Sequence, residues 1–334
     1  MPDVGIGQLA TVSGRYRTKK LRDGMKDSTP FYQCMDKHGG ISRIAGGRSV
    51  IQEGMTAQNG SASWVGEAGV VSLVDTKVLD AAEFDWKYQL GAVSWTLAEQ
   101  YKNSGDGRLI DVIGGKFDVL EGTMMNLFHE GMLSNGTGYG GQQLIGAATL
   151  CSTTPTSGSV GGIDRSLANA AWFRNQAFNS ASDWSEGAVD AGNVKRFLDK
   201  GINATIKTGK TTVNMGLLGQ THFEALTAAT QAIQIISNES KEADVGFAKL
   251  TYRGVPMYYG NGINYSGFTA HNLTRTYLFN TAPGGINLFF HNKAEFDMLD
   301  PFTSQDQAAK SRLMFTMAVM TIGALARTNW VGFD

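Results

Sequence analysis

Paired glycines break up the chain between residues 39 and 69, and so broken a stretch can run neither as a long helix nor as a central strand. The segment 39-GGISRIAGGRSVIQEGM-55 holds two such pairs, and each glycine loses more backbone entropy on folding than any other residue. It leads into 56-TAQNGSASWVGEAG-69, where Asn59-Gly60 is a strong signal for a two-residue hairpin loop. With Val50-Ile51 before it and Val70-Val71 after it, the pattern predicts a long two-stranded excursion with a polar, glycine-rich tip. An isolated hairpin is marginal in water. Such a tongue needs its own body or a neighbouring molecule to lie on.

Composition points the same way. The 334 residues include 42 glycines but only 6 prolines, and 18% are charged, below the roughly 25% usual in soluble proteins. A surface so thinly charged suits one that neighbouring subunits cover. The 42% apolar share, with 17 Phe, 10 Tyr and 6 Trp, allows a large core. The net charge of -1 hides an asymmetry, because residues 1–50 carry nine Lys/Arg against four Asp/Glu. Arg15, Arg17, Lys19, Lys20, Arg22 and Lys26 sit in a polar opening that reads as an extended arm, suited to phosphates or to an acidic patch on a neighbour. No zinc spacing, arginine-rich repeat or base-reading helix accompanies it, so nucleic-acid binding is not the expected main role. Cys34 and Cys151 are the only cysteines, which fits neither a disulfide framework nor a CxxC metal site and points to a reducing interior. The opening lacks the order of a secretory signal. The apolar stretch from Leu313 to Ala326 is too short for a bilayer, so no membrane partner is expected.

Along the chain, Phe31 onward reads as strand-like. Alternation in Phe84-x-Trp86-x-Tyr88 and Val93-x-Trp95-x-Leu97 predicts strands with those residues on shared faces. The period then changes. From 108 to 133, Leu109, Val112, Phe117, Leu120, Met124, Leu127 and Met132 recur at three- and four-residue steps, predicting one long amphipathic helix capped by Asp106. Gly114 and Gly115 are costly inside it, so the helix bends there or another backbone approaches closely. Gly192 to Lys200 reads as a helix start, Thr205 to Leu218 as a strand pair, and 220-QTHFEALTAATQAIQIISNES-240 as a second helix. Strands resume in 247-FAKLTYRGVPMYYGNG-262 and 276-TYLFNTAPGGINLFFHN-292. The period leaves 312–333 open between buried strand and helix. No 20–50-residue repeat is visible, and mixed strands with two or three helices give an α+β class.

Chemistry-bearing patterns are absent. His38, His129, His222, His271 and His291 show no HExxH or zinc spacing. His129 reads as a helix-surface residue, and Glu224 in the first turn after His222 suits the helix dipole. The stretch 207-KTGKTT-212 has a phosphate-loop core, but Ala204 stands where the first glycine is required. No GxSxG elbow appears. The chain is therefore read as no enzyme, with no catalytic, cofactor or metal residues.

The order of segments resembles the major capsid proteins of tailed double-stranded DNA bacteriophages, the Hong Kong 97 fold. The resemblance rests on the basic arm, on 48-RSVIQEGMTAQNGSASWVGEAG-69, on 82-AEFDWKYQLGAVSWTLAEQYKNSGDGRLIDVIGGK-116 and on the long helix. Later it rests on 163-IDRSLANAAWFRNQ-176, on Tyr252, Gly254, Val255 and Pro256, and on the final apolar segment. It implies an N-terminal arm over 1–47, an extended E-loop over 48–72, and a P domain over 73–138 with its spine helix at 107–133. An A domain would follow over 139–305, and a C-terminal segment, 306–334, would return as strands to the body. The function implied is a subunit that self-assembles, through pentamers and hexamers, into an icosahedral shell around phage DNA. It would be built as a procapsid in the host bacterial cytoplasm and carried in the virion. The expected partners are other copies, a separate scaffold protein, a portal protein, a decoration protein and the packaged DNA through non-specific contact. Arg15 to Lys26, the Asn59-Gly60 tip and Trp64 would make the inter-subunit contacts, and Gly114 and Gly115 would let the spine bend. An encapsulin-type compartment sharing the fold is the alternative, and an enzyme of unassigned class a remote one.

Overall fold

The computed structural model describes residues 29–45, 50–56, 64–67, 69–70, 79–102, 112–184, 187–206, 213–234, 249–260, 274–303 and 308–334. In chain order these hold helix α1 (Pro30–Lys37), strands β1 (Ile41–Ile44), β2 (Val50–Thr56), β3 (Leu79–Asp85) and β4 (Lys87–Thr96), and helices α2 (Leu97–Lys102) and α3 (Val112–Leu133). Next come β5 (Ser159–Val160), β6 (Ile163–Asp164), β7 (Gln176–Asn179), α4 (Val194–Thr205), β8 (Met215–Leu218), α5 (Gln220–Gln234), β9 (Lys249–Tyr252) and β10 (Val255–Tyr259). The last are β11 (Arg275–Phe279), β12 (Ile286–His291), β13 (Asp297–Met298), β14 (Phe302–Thr303), β15 (Ala309–Ile322) and β16 (Trp330–Phe333). The class is α+β. The sequence between Met1 and Ser28 lies outside the described residues, as do Asp106 and the helix start expected at 107–111.

The first glycine pair turns out to stop a helix, which corrects the strand expected from Phe31. Pro30 starts α1, its fixed φ suited to the first helical position. Gly39, at φ +72°, donates its amide to Asp36 O at 3.3 Å, and Gly40 donates to Met35 O at 2.7 Å. This pair of bonds is a common helix C-terminus built on glycine. The buried face of α1 wedges between the two large sheets. Phe31 stacks on Phe279 of β11 at 4.9 Å, and Tyr32 meets Phe290 of β12 edge-on at 6.5 Å.

Strands β2 and β3 pair antiparallel from Val50↔Asp85 to Thr56↔Leu79 and, among the described residues, belong to no larger sheet. Val50 pairs with Asp85 and Val70 is in no strand, so the excursion is longer than the sequence pattern suggested, while Val71 lies outside the described residues. Its root is held by the small hairpin β5–β6. Gly161 and Gly162 form that hairpin's two-residue loop, both at positive φ (56° and 77°), as the tightest hairpin turn requires. The Glu83 amide donates to Gly161 O at 2.9 Å.

One six-stranded sheet is organised by β15. On one edge β15 pairs with β12, β13 and β14, and on the other with all ten residues of β4, from Ala309↔Thr96 to Ala318↔Lys87. Its burial alternates from Ser311 to Ala318, then all of Val319–Ile322 are buried. That two-sided burial hides the strand period in the sequence. The expected strand reading of the final segment holds. Helix α3 lies across β4, where Trp95 meets Phe117 edge-on at 5.7 Å. The close approach occurs at Gly91, whose missing Cβ would sit 2.5 Å from Leu120 Cδ1. At Gly115, in the first turn of α3 as described, an added Cβ would meet nothing within 4 Å. Phe84 and Trp86 are buried together as expected, but Tyr88 is exposed. The chain changes sheets at Trp86, and its face parity changes with it.

The other six-stranded sheet runs β7-β16-β11-β8-β10-β9. Helices α4 and α5 share its second core cluster, centred on Trp330, whose ring meets Phe197 at 5.2 Å and Phe178 at 6.4 Å. The strand pair expected over Thr205–Leu218 is corrected to the end of α4 followed by β8 alone among the described residues. Arg253 (φ 51°) and Gly254 (φ 81°) form the two-residue turn of the β9–β10 hairpin, and Arg253 Nη1 reaches Asp199 Oδ1 and Asn203 Oδ1 on α4 at 3.0 Å each. The chain leaves this sheet after Phe279, so β12, β13 and β14 lie in the β15 sheet although they precede residue 305. Arg43 and Glu295 tie β1 to the loop after β12 through two bonds of 2.6 and 2.8 Å.

Candidate functional site

The most chemically suggestive cluster is buried. His222 Nδ1 lies 2.7 Å from Thr276 Oγ1, and Nε2 lies 3.3 Å from Asp334 Oδ1. Ser180 Oγ donates to the same carboxylate oxygen at 2.9 Å. Hydroxyl, imidazole and carboxylate thus follow in the order of a nucleophile triad. But His222, Thr276 and Ser180 are each 0% exposed, so no substrate can reach either hydroxyl. The cluster is a clamp that fastens β16's end to α5 and β11. Burial works to raise the Asp334 carboxyl, yet bonds from His222, Ser180 and the Val189 amide outweigh it and hold the group below its ordinary value.

Other titratable groups are similarly inert. Arg165 is fully buried, donating to Thr149 O at 3.1 Å and Leu150 O at 2.8 Å, and burial pulls it down to about 10. Cys151 is pushed up to about 12 by burial, far from a reactive thiolate. His129, expected on the helix surface, is half-buried, and that burial lowers it to about 4, leaving it neutral. Among the described residues no group of three or more His, Cys, Asp or Glu is placed to hold a metal, and no helix is long and apolar enough to cross a membrane.

Apolar surface is what stands open. Trp64 is 105% exposed and Val70 91%. On the body, β4 is an edge strand whose outward residues Tyr88 and Leu90 are exposed, and Tyr88 stacks on Phe315 of β15 at 6.0 Å. Beside it, a cleft of about 260 Å³ opens between β4, the C-terminal half of α3 and residues 139–144. Its lining includes Tyr88, Leu90, Leu127, Tyr139, Gln142 and Leu144, and Lys87 is its only charged residue. Tyr139 is held at φ 53°, ψ 39° with its ring exposed. A bulky side chain rarely adopts that left-handed backbone, and such strain tends to gather at functional sites.

No protein-family model matches the chain, and no curated protein matches it in sequence. Solved structures do match along nearly its whole length. A cyanophage A-1(L) capsid asymmetric unit is 12% identical with a TM-score of 0.62, over 90% of this chain and 92% of that one. The capsid of a native GTA particle is 10% identical at 0.55, over 90% of both chains. A structure from Mycobacterium phage Bobi is 8% identical at 0.52, over 90% and 89%.

The chain has the phage-capsid fold.

Of the residues singled out in the sequence, Arg15, Arg17, Lys19, Lys20, Arg22, Lys26, Asn59 and Gly60 lie outside the described residues. Trp64 is described and fully exposed, while Gly114 and Gly115 fall in the first turn of α3 as described. The cleft and Tyr139 escaped the sequence reading. The signal within reach was the run 138-GYGG-141, an aromatic side chain set among glycines.

Proposed function

We propose that this chain is the repeating subunit of an icosahedral phage head shell, assembled through pentamers and hexamers. The observation that carries the reading is the agreement in fold over about nine-tenths of both chains with a capsid subunit. Two features of the chain itself support it. Among the described residues the β2–β3 pair joins no larger sheet, and large apolar side chains stand exposed on that excursion and on the edge strand. A monomer gains nothing from either, whereas neighbouring copies would bury both.

In this reading the β15 sheet and α3 form the P domain, and the sheet carrying α4 and α5 forms the A domain. Residues 1–47 are the arm and 48–72 the E-loop. Assembly takes place as a procapsid in the bacterial cytoplasm with a separate scaffold, around a portal, and the mature virion shell encloses double-stranded DNA. A decoration protein completes the shell where one is used.

Negative-stain microscopy of the expressed chain, with and without a candidate scaffold, tests the proposal. Closed particles are the expected result, and a soluble monomer under every condition contradicts it. Particles holding a protein cargo instead of DNA would favour the compartment alternative. Deleting residues 55–67 should leave a soluble subunit that closes no shell. Neutralising Arg15 to Lys26 should weaken assembly or packaging in a salt-dependent way.

A further inference from the structure

We propose that the cleft beside β4 is a binding site for a small, ring-bearing alcohol or phenol, a ligand that the shell reading neither requires nor supplies. Its floor is the face of the β15 sheet turned toward α3. Directly paired residues share a face, so the register Thr316↔Gln89 and Ala318↔Lys87 places these four side chains there, while Tyr88 and Leu90 point to the opposite face. Gln89 is fixed in orientation, because its Nε2 donates to Met124 O of α3 at 2.9 Å. That leaves Oε1 as a buried acceptor without a partner among the described residues. The Thr316 hydroxyl, on a residue only 1% exposed, is a second such group. Buried polar groups are almost always paired. Two orphans on one directly opposed pair, both lining one cleft, mark a place where something else completes the bonding.

Donor and acceptor rules select the ligand. A carboxylate can accept from Thr316 but offers nothing to Gln89 Oε1, which itself only accepts. An ammonium could donate to both, but the lining holds no acid to neutralise it. The only charged residue there is Lys87, whose own ammonium donates to Gly141 O at 2.7 Å. A hydroxyl does both jobs, donating to Gln89 Oε1 and accepting the Thr316 proton. One water could do the same, but it fills only about 30 Å³ of a cleft of about 260 Å³. The rest of the lining is mainly apolar, with Leu127 and Phe128 from α3 and the exposed Tyr139 from the following segment. Water gains little from such walls, and an apolar body displaces it favourably. An apolar cavity of about 150 Å³ takes one benzene, so this cleft has room for a one- or two-ring body. Tyr139 at φ 53° adds backbone strain of the kind that gathers at ligand sites.

The test is equilibrium dialysis of the full chain against 2-naphthol, with naphthalene and 2-naphthoate as controls that keep the ring and change the polar group. Saturable binding at one site per subunit is expected, tighter for 2-naphthol than for either control by about 10-fold or more. Thr316→Val removes the orphan hydroxyl at nearly constant shape. That variant should be as stable as the unaltered chain or more so, while binding 2-naphthol about 10-fold more weakly. Leu127→Trp fills the cleft and should abolish binding, and if that variant fails to fold, Thr316→Val carries the test alone. Equal affinity for naphthalene, preference for 2-naphthoate, no saturable binding, or binding unchanged by Thr316→Val overturns the proposal. A Thr316→Val variant that loses stability overturns it too, since the hydroxyl would then have a partner within the fold. Where particles form, 2-naphthol binding confined to unassembled chains gives the cleft to a neighbouring copy and also overturns it. The shell reading stands in each of these outcomes.

Discussion

Replacing Gly161 by alanine should loosen the root of the tongue without changing any residue of the tongue itself. Gly161 turns the β5–β6 hairpin at φ 56° and accepts the Glu83 amide of β3 at 2.9 Å. Its missing Cβ would sit 2.8 Å from Ala82 Cβ and 2.9 Å from the Phe84 ring. Two costs add. A left-handed alanine costs about 1–2 kcal/mol, and forcing a methyl into packed side chains costs about 1–3 kcal/mol more. Gly162 is the internal control. It has φ 77° with nothing within 4 Å of its added Cβ, so Gly162→Ala should lose only the backbone term. Amide hydrogen exchange reads the difference locally. Gly161→Ala should speed exchange at Glu83 by roughly 5- to 150-fold relative to Gly162→Ala, the equivalent of that packing term. Equal exchange at Glu83 in the two variants would refute the argument that this contact holds β3.

Three further outcomes follow from the same structure. Trp330→Ala should cost about 3–5 kcal/mol and lower the melting temperature of the subunit sharply, because its ring centres the cluster under α4 and α5. Since the Asp334 carboxyl is held below its ordinary value, its contribution is complete above the ordinary carboxylate range and lost as pH falls through the depressed value. Asp334→Asn should therefore flatten the acid limb of a melting-temperature profile, and an unchanged profile would remove the clamp from the account. Glu295→Ala should cost only about 1 kcal/mol in a denaturant melt, because Arg43 is 41% exposed and regains water.

The elements legible in the sequence are those whose own period decides them. Val93 and Trp95 share the buried face of β4, and the three- and four-residue steps of α3 and α5 appear as helices. Where partners distant in sequence decide, the reading failed. Gly39-Gly40 looked like a broken strand because glycine pairs serve both turns and helix stops, and only the buried face of Phe31 and Tyr32 against both sheets selects the helix. The partner of Val50-Ile51 is not legible either, since Val70-Val71 and Leu79–Asp85 are equally strand-like until β2 chooses its register opposite Phe84 and Asp85. Strand β15 alternates for half its length and is buried on both faces for the rest, so resemblance and not period identified it. Of the candidate site, Trp64 was visible as a lone aromatic in a polar, glycine-rich stretch. The cleft was not, because Gln89, Leu127 and Tyr139 meet only once α3 has crossed β4 at Gly91.

Sedimentation velocity of the purified chain over a wide concentration range tests the central claim, that burial of apolar surface is completed by other copies. The account predicts a sharp threshold, above which the 35.9 kDa species gives way to capsomers and closed particles, with the threshold raised by Trp64→Ala. A single compact 35.9 kDa species at every concentration, with and without scaffold, would contradict it.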